Sequence, residues 1–160
     1  MIVVVVLAVL LAGCGGSSRA PTSRLQPARA SEGSASEHSQ APAGFLSEAQ
    51  AICLRRHRRL ARLTKASLSQ VPALAAKRGN VERRVIGEMQ ALKPPAQLGR
   101  GWSQIIAYTG TLAGDTRTIG ADAQARNVSG LEAVARASEG VIRKMSRVAD
   151  GIGLHACSKI

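Results

Sequence analysis

Nine apolar residues near the carboxyl end, Leu131, Val134, Ala135, Val141, Ile142, Met145, Val148, Ala149 and Ile152, fall on one stripe when the chain is wound at about 100° per residue. A stripe of that length fits an amphipathic helix and no strand. Ser138 is its one polar member, small enough to be tolerated there, and its hydroxyl is expected to bond back to a carbonyl one turn earlier. Ser129 with Glu132 reads as a capping box at the start. Gly153 stands where a helix C-cap glycine belongs.

Three further stripes precede it. The first takes Leu46, Ala49, Ile52, Cys53, Leu60 and Leu63, opened by a Ser47–Gln50 capping box, with Leu46 as a hydrophobic staple. Arg56 falls inside this stripe and must either snorkel or find a partner. The second runs Val71, Leu74, Val81, Val85, Met89 and Leu92, with a possible kink at Gly79-Asn80, and stops at Lys93-Pro94-Pro95. The third includes Trp102, Ile105, Ile106, Thr109, Leu112, Ala113, Thr116, Ile119 and Ala123. Its glycines, Gly110, Gly114 and Gly120, each cost about 1 kcal/mol against alanine, so packing must hold it. Gly110 and Gly114 are expected to admit a neighbouring helix closely. No strand-like alternation occurs. The expected fold is all-α, an up-down-up-down four-helix bundle over residues 45–160.

The amino terminus has a different character. Ile2 to Ala12 is an uninterrupted apolar run, too short for the roughly 20 residues of a membrane span and suited to the core of an export signal. Leu11-Ala12-Gly13-Cys14 resembles the lipobox of bacterial lipoproteins. That resemblance implies a signal peptide over residues 1–13, cleaved before Cys14, and acylation of the Cys14 thiol. Two or three acyl chains would anchor the protein firmly at the extracytoplasmic face of the cell membrane. No Lys or Arg precedes the run, so positive charge comes from the initiator amine or from a start upstream of Met1. Residues 14–44, rich in Ser, Gly, Ala, Pro and Gln, read as the lipidated cysteine and a flexible tether, with a reach on the order of 30 Å.

With Cys14 acylated, Cys53 and Cys157 remain as an even pair in an oxidising compartment. In a four-helix up-down bundle the second turn of the first helix and the end of the fourth lie at the same end, so a disulfide is geometrically sensible. The alternative is a metal site from Cys53, His57, His155 and Cys157, a loosely spaced zinc set.

The segments Phe45–Cys53 (FLSEAQAIC), Leu92-Lys93-Pro94-Pro95 and Gly153-Leu154-His155-Ala156-Cys157 resemble a pattern shared by uncharacterised small exported helical lipoproteins of high-GC Gram-positive bacteria. The resemblance implies an exported helical bundle with a cysteine near each end. It brings no catalytic residue with it.

Motifs for catalysis are absent: there is no GxSxG, HExxH, P-loop or phosphate-binding GxGxxG. The domain carboxylates are scattered and read as mostly solvent-facing, so no enzyme and no cofactor is expected. Charge is the feature with functional reach. Of 22 Lys+Arg and 10 Asp+Glu, 19 and 8 fall from Phe45 onward. The densest cluster is Arg55, Arg58, Arg59, Arg62 and Lys65 on one helical face. Such a face would meet anionic lipid headgroups or wall polymers. With Phe45, Trp102 and Tyr108 as the only aromatics, base stacking has no platform, and nucleic acid is not an expected partner. A metal- or small-ligand-binding exported bundle is the second reading, and a subunit of an envelope protein complex the third.

Overall fold

The computed structural model describes residues 37–63 and 67–159. Helices α1 (Glu37–Ala61), α2 (Val71–Ala91), α3 (Ala96–Gln124) and α4 (Val128–Gly151) are followed by a single turn, α5 (His155–Ser158). No strand occurs among the described residues. Residues 1–13, read from the sequence as a signal peptide, and Cys14 lie outside them.

Paired contacts set the topology. Trp102 at the start of α3 reaches Met89 at the end of α2, while Gly120 late in α3 lies against Ala75 early in α2. Thus α2 and α3 are antiparallel. Between α3 and α4, Gly101 faces Ile152, Thr109 faces Met145 and Asp115 faces Ser138, again antiparallel. Phe45 near the start of α1 stacks edge-on against Trp102 at 5.4 Å and 86°, so α1 and α3 begin at the same end. The chain is an all-α bundle of four helices with alternating directions.

The large buried side chains gather toward that end. Trp102, Met89, Ile105, Met145 and Leu154 are almost wholly excluded from solvent. The indole N–H of Trp102 donates to the Met89 carbonyl at 3.1 Å, so a last-turn carbonyl of α2 is satisfied inside the core. Small residues, Ala75, Thr116, Gly120 and Ala123, fill the opposite end.

Connections follow local chemistry. A 3₁₀ turn (Leu68–Gln70) leads into α2, whose Pro72 sits in the first turn where its missing N–H is harmless. Lys93-Pro94-Pro95 ends α2, and α3 starts directly after Pro95. The α3–α4 turn places Arg126 at φ 55°, a left-handed position usually held by glycine. Helix α4 closes with a Schellman motif: Gly153 at φ 77° bonds to the Asp150 carbonyl at 3.1 Å, and Leu154 to the Ala149 carbonyl at 2.8 Å.

Several local expectations are corrected. Helix α1 begins at Glu37, inside the stretch read as tether, so Ser47 and Gln50 are helix-interior residues and not a cap. A favourable capping sequence does not stop the helix from extending upstream, and it runs through Pro42 and Gly44, both poor helix-interior residues. Helix α2 runs unbroken through Gly79-Asn80, where the Arg83 guanidinium donates to the Asn80 side-chain oxygen. The α4 cap is Asn127, whose Oδ1 accepts from Gly130 N at 3.1 Å, not Ser129. Asn127 wins because its Nδ2 is also tied to Asp122 at 2.9 Å, and Ser129 donates to Asn127 at 3.0 Å. Ser138 donates across to Asp115 at 2.8 Å instead of bonding back. Gly110 and Gly114 face open space; the close approaches are at Gly101, Gly120 and Gly130, the last against Asp122 and Asn127.

Candidate functional site

Cys53 and Cys157 form a disulfide with Cα atoms 5.0 Å apart, within the ordinary range. Both are buried, and Leu154 beside them is fully so. The bond fastens the turn after α4 onto α1 and closes a loop with a sequence separation of 104. With both sulfurs in that bond, neither is a thiolate ligand. His57 is exposed on α1, and His155 pairs with Asp150 at 3.1 Å. Among the described residues no three His, Cys, Asp or Glu side chains converge. The Cys53, His57, His155 and Cys157 set is therefore not brought together as metal donors in this state.

Helix α1 carries two different populations of arginine. Arg56 points inward. Its Nε and Nη2 donate to the two carboxylate oxygens of Glu82 on α2 at 2.7 and 2.8 Å, a bidentate pair with both residues buried. This is the partner that its place in the apolar stripe required. Glu82 is thus a domain carboxylate that does not face solvent, since it lies on the Ala75–Gly79–Val85–Met89 seam of α2. Arg78, one turn before Glu82, adds a second guanidinium. Its buried Nε has no hydrogen-bond partner. Burial lowers the Arg78 pKa from its ordinary value, Glu82 opposes the shift and Arg56 adds to it.

The outward arginines are the sequence-derived cluster. Arg55 and Arg59 both reach Glu88 on α2, at 2.9 and 3.1 Å, on a half-exposed surface. The hydrogen bond from Arg55, aided by that from Arg59, holds the Glu88 carboxyl below the usual carboxylate range. Arg58 and Arg62 are exposed and have no carboxylate partner among the described residues. Arg55, Arg58, Arg59 and Arg62 together line a shallow depression of about 210 Å³. Lys65 lies outside the described residues. One carboxylate thus serves two of the four guanidinium groups, which leaves a local excess of positive charge at the outer end of α1.

Next to the depression runs an open groove of about 480 Å³ between α1 and α2, floored by Ala51, Ile52, Ala91 and Leu92. Glu48 stands at one end of it, and Arg55 and Glu88 at the other. No sequence pattern announces this groove, because it needs the end of α2 laid against the middle of α1.

No described helix is long and apolar enough to cross a membrane. Compared with protein-family models, with curated proteins and with solved structures, the chain matches none.

Proposed function

We propose that this chain is a lipid-anchored, extracytoplasmic helical domain with a non-enzymatic binding role in the envelope, which turns the arginine face of α1 toward anionic lipid headgroups or wall polymer. The observation that carries the reading is the four-arginine depression, with Arg58 and Arg62 exposed and without a carboxylate partner among the described residues, and Arg55 and Arg59 steadied by a single carboxylate. Attraction of a basic side chain to an anionic surface contributes about 1 kcal/mol per residue within a Debye length. The Leu11-Ala12-Gly13-Cys14 lipobox supports the anchor, and acyl chains at Cys14 would hold the bundle within reach of such surfaces.

Replacing Arg55, Arg58, Arg59 and Arg62 by glutamine in the purified chain tests the face. Loss of adsorption to anionic vesicles and to purified wall polymer is expected, with no change toward zwitterionic vesicles. Unchanged adsorption to both would end the reading. Mass spectrometry of the amino terminus of membrane-extracted protein tests the anchor: an acylated Cys14 is expected, and an intact Met1 with an unmodified Cys14 thiol would refute it.

A further inference from the structure

We infer that the α1–α2 groove and the arginine depression form one binding site for a single anionic amphiphile, its phosphate on Arg58 and Arg62 and its hydrocarbon chain over Ala51, Ile52, Ala91 and Leu92. The inference rests on the proposed anionic-surface role and adds a ligand class to it: a phosphate-bearing lipid held by head and tail, not merely a charged surface touched from outside.

Continuity is the first observation. Arg55 lines both the apolar groove and the basic depression, so the two share a wall. Glu88 fixes this junction by holding Arg55 and Arg59 at once. The second observation is polarity along the axis. The groove floor is aliphatic, its far end carries Glu48, its near end carries Glu88 already paired with Arg55 and Arg59, and beyond that end all four lining side chains are arginines. A phosphate is repelled at the Glu48 end and attracted at the Arg58–Arg62 end, so the direction of a bound amphiphile is set. Size is the third. About 480 Å³ lies within the range of small-ligand pockets.

Leu54 adds a fourth. It is 48% exposed, one of two large apolar side chains so exposed among the described residues. It lies three residues after Ala51 and four before Arg58, so it stands on the same helical surface row as both. An acyl chain leaving the groove would cover it. Neither half of the site explains itself alone: a solvated basic face needs no apolar trough beside it, and an apolar trough needs no ring of arginines at one end.

Calorimetry on the full chain with dodecyl phosphate below its micelle concentration tests the site, with glycerol phosphate as the head alone. Dodecyl phosphate is expected to bind tighter than glycerol phosphate by at least about tenfold, because burial of each methylene adds to affinity. Filling the groove with Ala51→Leu and Ala91→Leu is expected to remove that advantage while affinity for glycerol phosphate stays at the wild-type level. Replacing Arg58 and Arg62 by glutamine is expected to weaken both. Equal affinity for the two probes, or a filled groove that binds dodecyl phosphate as the wild type does, would overturn the amphiphile site. Vesicle adsorption that survives the arginine changes would overturn the surface role instead. Should the filled variant not fold, the wild-type chain decides by NMR. The methyl signals of Ile52 and Leu92 shift with dodecyl phosphate and not with glycerol phosphate, and their silence would refute the proposal.

Discussion

Arg56 and Glu82 meet across α1 and α2 in a two-point ion pair, at 2.7 and 2.8 Å, in which neither residue is more than 5% exposed. Removing Glu82 alone strands the buried Arg56, and removing the pair strands Arg78, whose buried guanidinium Glu82 offsets; removing all three charges strands none. Glu82→Gln is expected to destabilise the fold by about 3–5 kcal/mol, whereas Arg56→Met with Arg78→Leu and Glu82→Leu should lie within about 1 kcal/mol of wild type or above it. Urea unfolding of the three proteins checks this. Arg78→Leu, which deletes a guanidinium with an orphaned Nε, is expected to stabilise by about 1 kcal/mol.

The Cys53–Cys157 bond closes nearly the whole bundle. In the chain-entropy account a loop near 100 residues contributes about 4–5 kcal/mol. Thermal unfolding with and without reductant is expected to show a loss of that order, and Cys157→Ser alone should reproduce it.

Two pairs of glycines are expected to respond with opposite signs. A Cβ at Gly101 would lie 2.8 Å from the Ile152 Cγ2 methyl, and one at Gly120 would lie 3.0 Å from the Ala75 Cβ. Alanine at either position is expected to destabilise by about 1–3 kcal/mol through overpacking. Gly110 and Gly114 have no neighbour within 4 Å. Alanine there should stabilise by about 0.5–1 kcal/mol each. Melting temperatures of the four variants decide it.

Glu88 ties the outer arginines to α2, and its pKa is lowered first by Arg55. Its stabilising contribution is therefore complete above the unfolded carboxylate pKa of about 4.3 and is lost as pH falls through the lower folded value. The stability difference between wild type and Glu88→Gln should be constant near neutral pH and shrink toward zero in acid. A difference that grows on acidification would contradict the pairing.

The four helices were legible because each carries an apolar stripe at helical spacing, and the disulfide because Cys53 and Cys157 fall at one end of an alternating bundle. What escaped is what depends on a neighbour. Arg56 announced its need for a partner, but Glu82 is 26 residues away; the usable signal was its place on the seam of Ala75, Gly79, Val85 and Met89. Asn127 outcompeted Ser129 as cap through Asp122 on the preceding helix. Arg126 adopts a left-handed backbone with no glycine to announce it. Gly101 is a contact residue only because Ile152 returns to it. In the arginine cluster the residue types and the face were readable, whereas the division into paired Arg55 and Arg59 and unpaired Arg58 and Arg62 required Glu88 on α2.

In the proposed role, position and not total charge makes the α1 face a contact for anionic surfaces. Two double variants of equal charge change separate these. Arg58→Gln with Arg62→Gln removes unpaired arginines of the depression, and Arg136→Gln with Arg143→Gln removes exposed arginines of α4 at 3.8 and 3.7 Å from Glu132 and Glu139. Binding to anionic vesicles at fixed salt is the measurement. A loss of about 2 kcal/mol, roughly thirtyfold, is expected for the α1 pair and little change for the α4 pair. Equal losses from both would contradict it.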